Sequence, residues 1–242
     1  DMFIMEDKKN LSEALLYIDY VNELRMHNMG HGAVEANAGF SKDFVDCFLY
    51  TDGLPKALTT LPKNDETLVQ ELANRDPRAA QLIRNDEFFA GNASYTPVGG
   101  DDAYVTQFCP TGYQSIKGYN PATAHSGYYV EYADGIAYRY AETLLIYAEA
   151  AAELNLCDQN VLDNTINLLR KRAGMPDMRI ETLEKDPASD FPELPVLIDE
   201  IRRERRVEFA LEAMRYDDLM RWKAGKLLEK TVRGMKFVQS QY

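Results

Sequence analysis

Cysteine is scarce and unpaired in this sequence. Cys47, Cys109 and Cys157 lie far apart and are odd in number among 242 residues, with no CxxC and no evident disulfide framework. Such thiols are expected as buried, free, small hydrophobes. Histidine is as rare, with three in the chain. His27 and His31 have the i, i+4 spacing that on a helix would bring two imidazoles to one metal. Asn28, Met29 and Gly30 between them, and Gly32 after them, argue against a helix there. His125 has no ligand pattern beside it. The sequence contains no HExxH, no GxSxG and no phosphate-cradling P-loop. No apolar run approaches the roughly 20 residues needed to span a bilayer. The opening, DMFIMEDKKN, has no export-signal pattern and gives no address. Positive charge is in deficit: 27 Lys and Arg stand against 39 Asp and Glu, a net charge of −12. That balance repels phosphate backbones and anionic lipid, so nucleic acid is excluded as a partner and membrane surfaces are disfavoured.

What is present is ordinary globular material, 45% apolar and 27% charged, in a length that fits one large or two small domains. The texture changes twice along the chain. Residues 1–90 mix short apolar segments with turn signals, residues 91–134 form a Tyr/Gly-rich loop region, and residues 135–230 are helical.

The helical part reads most clearly. In AYRYAETLLIYAEAAAELN, residues 137–155, apolar side chains recur at Ala137, Ala141, Leu144, Leu145, Ala148, Ala151 and Ala152, with Tyr140, Tyr147 and Leu154 as a second stripe. The alanines allow a partner helix close approach. DQNVLDNTINLLRKR, residues 158–172, is the next helix, with Asp158 as N-cap and Gly174 then Pro176 as its stop. The two are expected to form a helical hairpin that resembles a tetratricopeptide-type unit, although the full repeat signature is not met.

A third helix is expected over 194–213. It includes the first part of the stretch IRRERRVEFALEAMRYDDLMRW, residues 201–222. Apolar residues cover much of its circumference, and Arg205, Glu208 and Glu212 interrupt that surface. Buried charges without partners are very costly. Arg205–Glu208 and Glu212–Arg215, i, i+3 neighbours, are therefore expected to pair within the helical layer. Trp222 is expected as a packing anchor and not a ligand platform.

These stretches, together with SKDFVDCFLYTDGLP (41–55) and NRDPRAA (74–80) upstream, resemble in order and spacing the C-terminal part of the SusD/RagB family. The resemblance runs from about residue 40 to residue 225. It implies a mainly α fold of tetratricopeptide-like antiparallel helix pairs with a long irregular loop-rich region. It implies a surface-exposed outer-membrane lipoprotein of Bacteroidetes that binds oligosaccharide or polysaccharide, passes it to a SusC-like TonB-dependent transporter, and is not an enzyme. Family members carry a further N-terminal portion, a lipoprotein signal and a lipidated cysteine. The chain is therefore expected to be the C-terminal part of a longer protein, or a truncated homologue, with some helix faces left open.

The Tyr/Gly-rich region supplies the candidate glycan contacts. Residues 91–132 hold seven of the chain's fifteen tyrosines, with six glycines and three prolines. A pyranose lays its C–H face on an aromatic ring while its hydroxyls seek polar groups at the rim, and tyrosine offers both. Tyr95, Tyr104, Phe108, Tyr113, Tyr119, Tyr128 and Tyr129 are the candidate platforms, and Asp101, Asp102 and Asn120 the candidate hydroxyl partners. Any of the rings could instead pack the loop onto the helices. No cofactor is implied. Carboxylates at 64–66, 85–87 and Asp101-Asp102 do not reproduce a calcium loop and are expected as solvated turns. The competing reading is a helical-repeat adaptor that binds protein and has no sugar site here; a glycoside-active enzyme is a remoter one.

Overall fold

The computed structural model describes residues 2–29, 39–84, 109–120 and 128–236. Strand β1 (Ala14–Ile18) pairs antiparallel with β2 (Gly135–Arg139), setting Leu16 opposite Tyr138 and Ile18 opposite Gly135. Among the described residues, three short helices lie between them in sequence, α1 (Lys42–Val45), α2 (Leu68–Leu72) and α3 (Pro77–Leu82). After β2 come α4 (Tyr140–Glu153), α5 (Gln159–Asp163), α6 (Ile166–Ala173), α7 (Val196–Glu208) and α8 (Met214–Arg221). The fold is mainly α with tetratricopeptide-like helix pairing, as the resemblance implies.

Local chemistry explains the boundaries. Asp76 caps α3 by accepting from Arg78 N at 3.0 Å, with Pro77 in the first turn, where its missing N–H is no loss. Asp158 caps α5 by accepting from Val161 N at 2.9 Å. Gly174 closes α6 at φ 74°, a left-handed position. Gly53, at φ 82°, turns the Asp-Gly-Leu-Pro segment, and Asp52 braces it by accepting from Leu54 N at 3.0 Å.

Two cores flank α7. Phe44, Val45, Phe48, Leu68, Ile83 and Tyr113 build one, and Val207 reaches it from α7. Ala141, Leu145, Ala148, Leu162 and Ile166 build the other, which Ile198 and Ile201 of α7 complete. The alanines of α4 let α6 and α7 pack against it, as their spacing predicts. Because α7 is covered on both sides, Asp199, Glu200, Arg202, Glu204, Arg205 and Glu208 are all buried.

Three expectations need correction. Residues 137–139 are strand, not helix, because they pair with β1, and the carbonyl of Glu13, just before β1, accepts from Tyr140 N at 2.8 Å as α4 begins. The helix expected over 158–172 breaks at Thr165, whose hydroxyl bonds back to the Val161 carbonyl at 2.6 Å, a local competition typical of threonine. The helix expected over 194–213 stops at Glu208. Leu211 (φ 60°) and Ala213 (φ 62°) turn the chain, and α8 starts afresh. The stripe of Tyr140, Tyr147 and Leu154 on α4 is exposed, at 45%, 56% and 68%.

Candidate functional site

Glu204, Arg205, Glu208 and Glu212 serve the scaffold. Glu208 lies 2.6 Å from Arg139, 2.5 Å from Arg172 and 3.0 Å from Arg78. Glu204 lies 2.7 Å from Arg78 and 3.0 Å from Arg170. Arg78 also clasps Asp76 at 2.7 Å, tying the Asn-Arg-Asp-Pro-Arg segment to α7. Arg139 continues to Glu212 at 2.7 Å and Glu13 at 3.1 Å. Lys117 closes the chain of contacts on Glu212 at 2.6 Å. The cluster thus holds Arg78, Arg139, Arg170, Arg172 and Lys117 against Asp76, Glu204, Glu208, Glu212 and Glu13, and the charges balance. Burial alone would push the Glu208 carboxyl up, but Arg139, Arg172 and Arg78 outweigh it and hold it at about 2.

Arg205, Glu208 and Glu212 are paired, but with partners other than those expected, and among the described residues Arg215 has no ion pair. Arg205 pairs with Asp218 of α8 at 2.8 Å and not with Glu208. Glu212 pairs with Arg139 and Lys117 and not with Arg215. The turn after Glu208 takes Arg215 off the helix on which the i, i+3 spacing was counted. Trp222 is a packing anchor: it donates to Glu149 at 2.6 Å and meets Phe191 edge-on at 5.8 Å.

Lys117 is where the scaffold meets the loop region. Its ammonium donates to the Ala210 carbonyl at 2.7 Å and to Glu212, clamping the base of the segment 117–120. Beside it opens a cleft of about 380 Å³. Phe3, Met29 and Phe209 give it apolar walls, and Asn120, His27 and Glu131 give it polar edges. His27 is held in place: Nε2 donates to the Ala133 carbonyl at 2.8 Å, and Nδ1 accepts from Met29 N at 3.2 Å. Those two bonds fix the ring and brace the cleft edge. Such a mix of flat apolar walls and fixed polar groups suits a small polar ligand with apolar faces.

The candidate glycan contacts divide. Tyr128 and Tyr129 are exposed at 65% and 68%. The Tyr129 backbone, at φ 55°, donates to the Asn28 side chain at 3.1 Å, between the cleft residues His27 and Met29 in sequence. Asn120 lines the cleft, and Tyr119 beside it is half-buried. Tyr113 is a correction. It is wholly buried in the first core, and its hydroxyl donates to Glu71 at 2.6 Å, so it packs the loop onto the helices and offers no face to a ligand. Tyr95, Asp101, Asp102, Tyr104 and Phe108, and also His31 and His125, lie outside the described residues. Sequence reasoning missed His27, Met29 and Lys117 as cleft residues. Only Lys117 carried a signal, as one of the few charges in a nearly uncharged loop.

The sequence profile of the SusD family matches residues 9–242. No curated protein sequence matches the chain. Among solved structures it is similar to a SusD-like carbohydrate-binding protein from Bacteroides fragilis NCTC 9343, at 26% identity and a TM-score of 0.72, covering 98% of this chain and 48% of that one. A SusD-like protein from the same strain is similar at 26% identity and a TM-score of 0.60, covering 96% and 47%. The chain spans about half the length of each.

Proposed function

The chain belongs to the SusD family, and from that premise we propose that it is the glycan-capturing part of an outer-membrane uptake system. It binds oligosaccharide at the cell surface as a lipoprotein and passes it to a SusC-like TonB-dependent transporter. It acts by binding and not by catalysis. The observation that carries the reading is the exposed pair Tyr128 and Tyr129, with the Tyr129 backbone bonded to Asn28 between two residues of the cleft that Asn120 also lines. Two phenol rings left in water at the edge of a polar-rimmed cleft are what stacking on a pyranose requires. A solved relative described as carbohydrate-binding supports it. The exposed stripe on α4 suits a protein contact, such as one with the transporter.

Affinity electrophoresis against a panel of polysaccharides tests this. At least one polysaccharide retards the chain, and replacing Tyr128 and Tyr129 together by Ala abolishes the retardation with the melting temperature unchanged. If no polysaccharide retards the unsubstituted chain, or the double variant is retarded as strongly, the sugar site is not here and the adaptor reading takes over.

A further inference from the structure

A separate cleft of about 350 Å³ lies between α1, α7, α8 and the segment 186–191. Seven cationic side chains and five aspartates line it, an excess of positive charge in a chain whose net charge is −12. Each of the five aspartates already lies at ion-pair distance from a lysine or arginine. Asp43 and Asp190, for example, are shared between Arg206 and Lys230.

Arg215 and Arg233 are left over. Among the described residues neither guanidinium has a hydrogen bond or an ion pair, and Arg215 rests only against the Trp222 ring, 5.8 Å from its centroid. Burial, and Arg206 beside it, push the Arg215 pKa down to about 10. Arg202 adds a third group. It is only 8% exposed, stacks over Trp222 at 4.4 Å and Phe191 at 4.9 Å, and its Nε has no partner. Arg215 and the Arg202 Nε, drawn out of water without a hydrogen-bonded anion, raise the free energy of the empty cleft, and an incoming anion relieves that cost, with the exposed Arg233 at its rim.

We propose that this cleft is an oxyanion site for sulfate or phosphate, free or as an ester on a sugar, with Arg215 and Arg233 matching its two charges and Arg202 Nε as a further donor. The planar guanidinium fork fits two oxygens of such a group at once. The site is independent of the Tyr128–Tyr129 reading.

Isothermal titration of the 242-residue chain with sodium sulfate in a chloride background tests it. One sulfate binds per chain, and Arg215→Gln and Arg233→Gln each weaken the affinity about tenfold or more. Arg233 is exposed, so its variant folds and reports even if Arg215→Gln melts early. The variant with Tyr128 and Tyr129 replaced by Ala binds sulfate like the parent. A sulfated monosaccharide that binds tighter than both inorganic sulfate and its unsulfated counterpart identifies the ester as the ligand, and equal affinity with inorganic sulfate identifies the free ion. No binding up to about 10 mM sulfate, a ceiling worth only about 3 kcal/mol, or equal affinity in both arginine variants, overturns the proposal.

Discussion

Replacing Glu208 by Gln keeps the shape of the side chain and removes one charge from the balanced cluster. A carboxyl that ordinarily titrates at 4.5 is held at about 2. Each tenfold change in acidity corresponds to about 1.4 kcal/mol, so Glu208 contributes roughly 3 kcal/mol at neutral pH. An independent estimate agrees, since removing one partner of a buried pair costs about 3–5 kcal/mol. The loss does not fall evenly on the three arginines. Arg172, whose side chain is 43% exposed, rehydrates at little cost, and Arg78 keeps Asp76 and Glu204. Arg139, at 2% exposure, keeps Glu212 but sits in a cluster with one cation too many. For a chain of this length the expected drop in melting temperature is roughly 10 °C. Urea denaturation gives the same quantity without heat, and Glu181→Gln, at an exposed position, is the control. Adding Arg172→Gln to Glu208→Gln restores neutrality, so the double variant is less destabilised than the sum of the singles. A Glu208→Gln protein that melts within about 2 °C of the parent, well under the roughly 10 °C expected, refutes the claim that this charge is buried and paired.

The same cluster sets an acid limit. The folded value of Glu208 is depressed, so its contribution is complete above pH 4.5 and is lost as pH falls toward about 2. A series of melts should therefore show the gap between parent and Glu208→Gln constant from neutrality down to about pH 5 and closing below that; a constant gap across the whole range would contradict the assignment. Gly174→Ala is a purely backbone test, because a Cβ there meets nothing within 4 Å while φ is 74°. It should cost about 1 kcal/mol in chemical denaturation, and an unchanged midpoint would show that the left-handed cap is not held.

The legible part of the sequence was the part governed by local rules. The Asp158 cap, the Gly174 stop and the alanine face of α4 need only nearby residues, and they stand as read. That Arg202, Glu204, Arg205 and Glu208 are buried follows from the apolar residues around them on α7. Their partners were hidden, because spacing shows only neighbours on the same helix, while Arg78 and Arg139 arrive from far upstream. The candidate site was less legible for a related reason. Composition marks 91–132 as unusual but does not say which rings point inward. Tyr113 goes inside because its segment bridges Gly39 and Ile83 through Gln114 and Ser115. Gly39 permits that approach, since a Cβ there would lie 2.3 Å from the Cys109 sulfur. His27 enters the cleft through its bridge with Glu131, a pairing across about a hundred residues that no local signal announces.

Long-range pairing of this kind also explains how a mainly helical scaffold presents an irregular face. A loop rich in glycine gains nothing from helix propensity and must be tied down from outside. Lys117 does this at a point where burial lowers its pKa, an effect that the Glu212 carboxylate offsets only in part, while its ammonium donates to Glu212 and to the Ala210 carbonyl. Glu212 is in turn fixed by Arg139, and Arg139 by Glu208. The segment bearing Tyr119 and Asn120 is thus fastened, through three successive ion pairs, to the helix that both cores enclose. The buried charges and the exposed rings are consequently not two separate features of the chain. The first fasten the segment 117–120 beside the cleft that Asn120 lines, and the Tyr129 backbone is bonded to Asn28 between two residues of that same cleft.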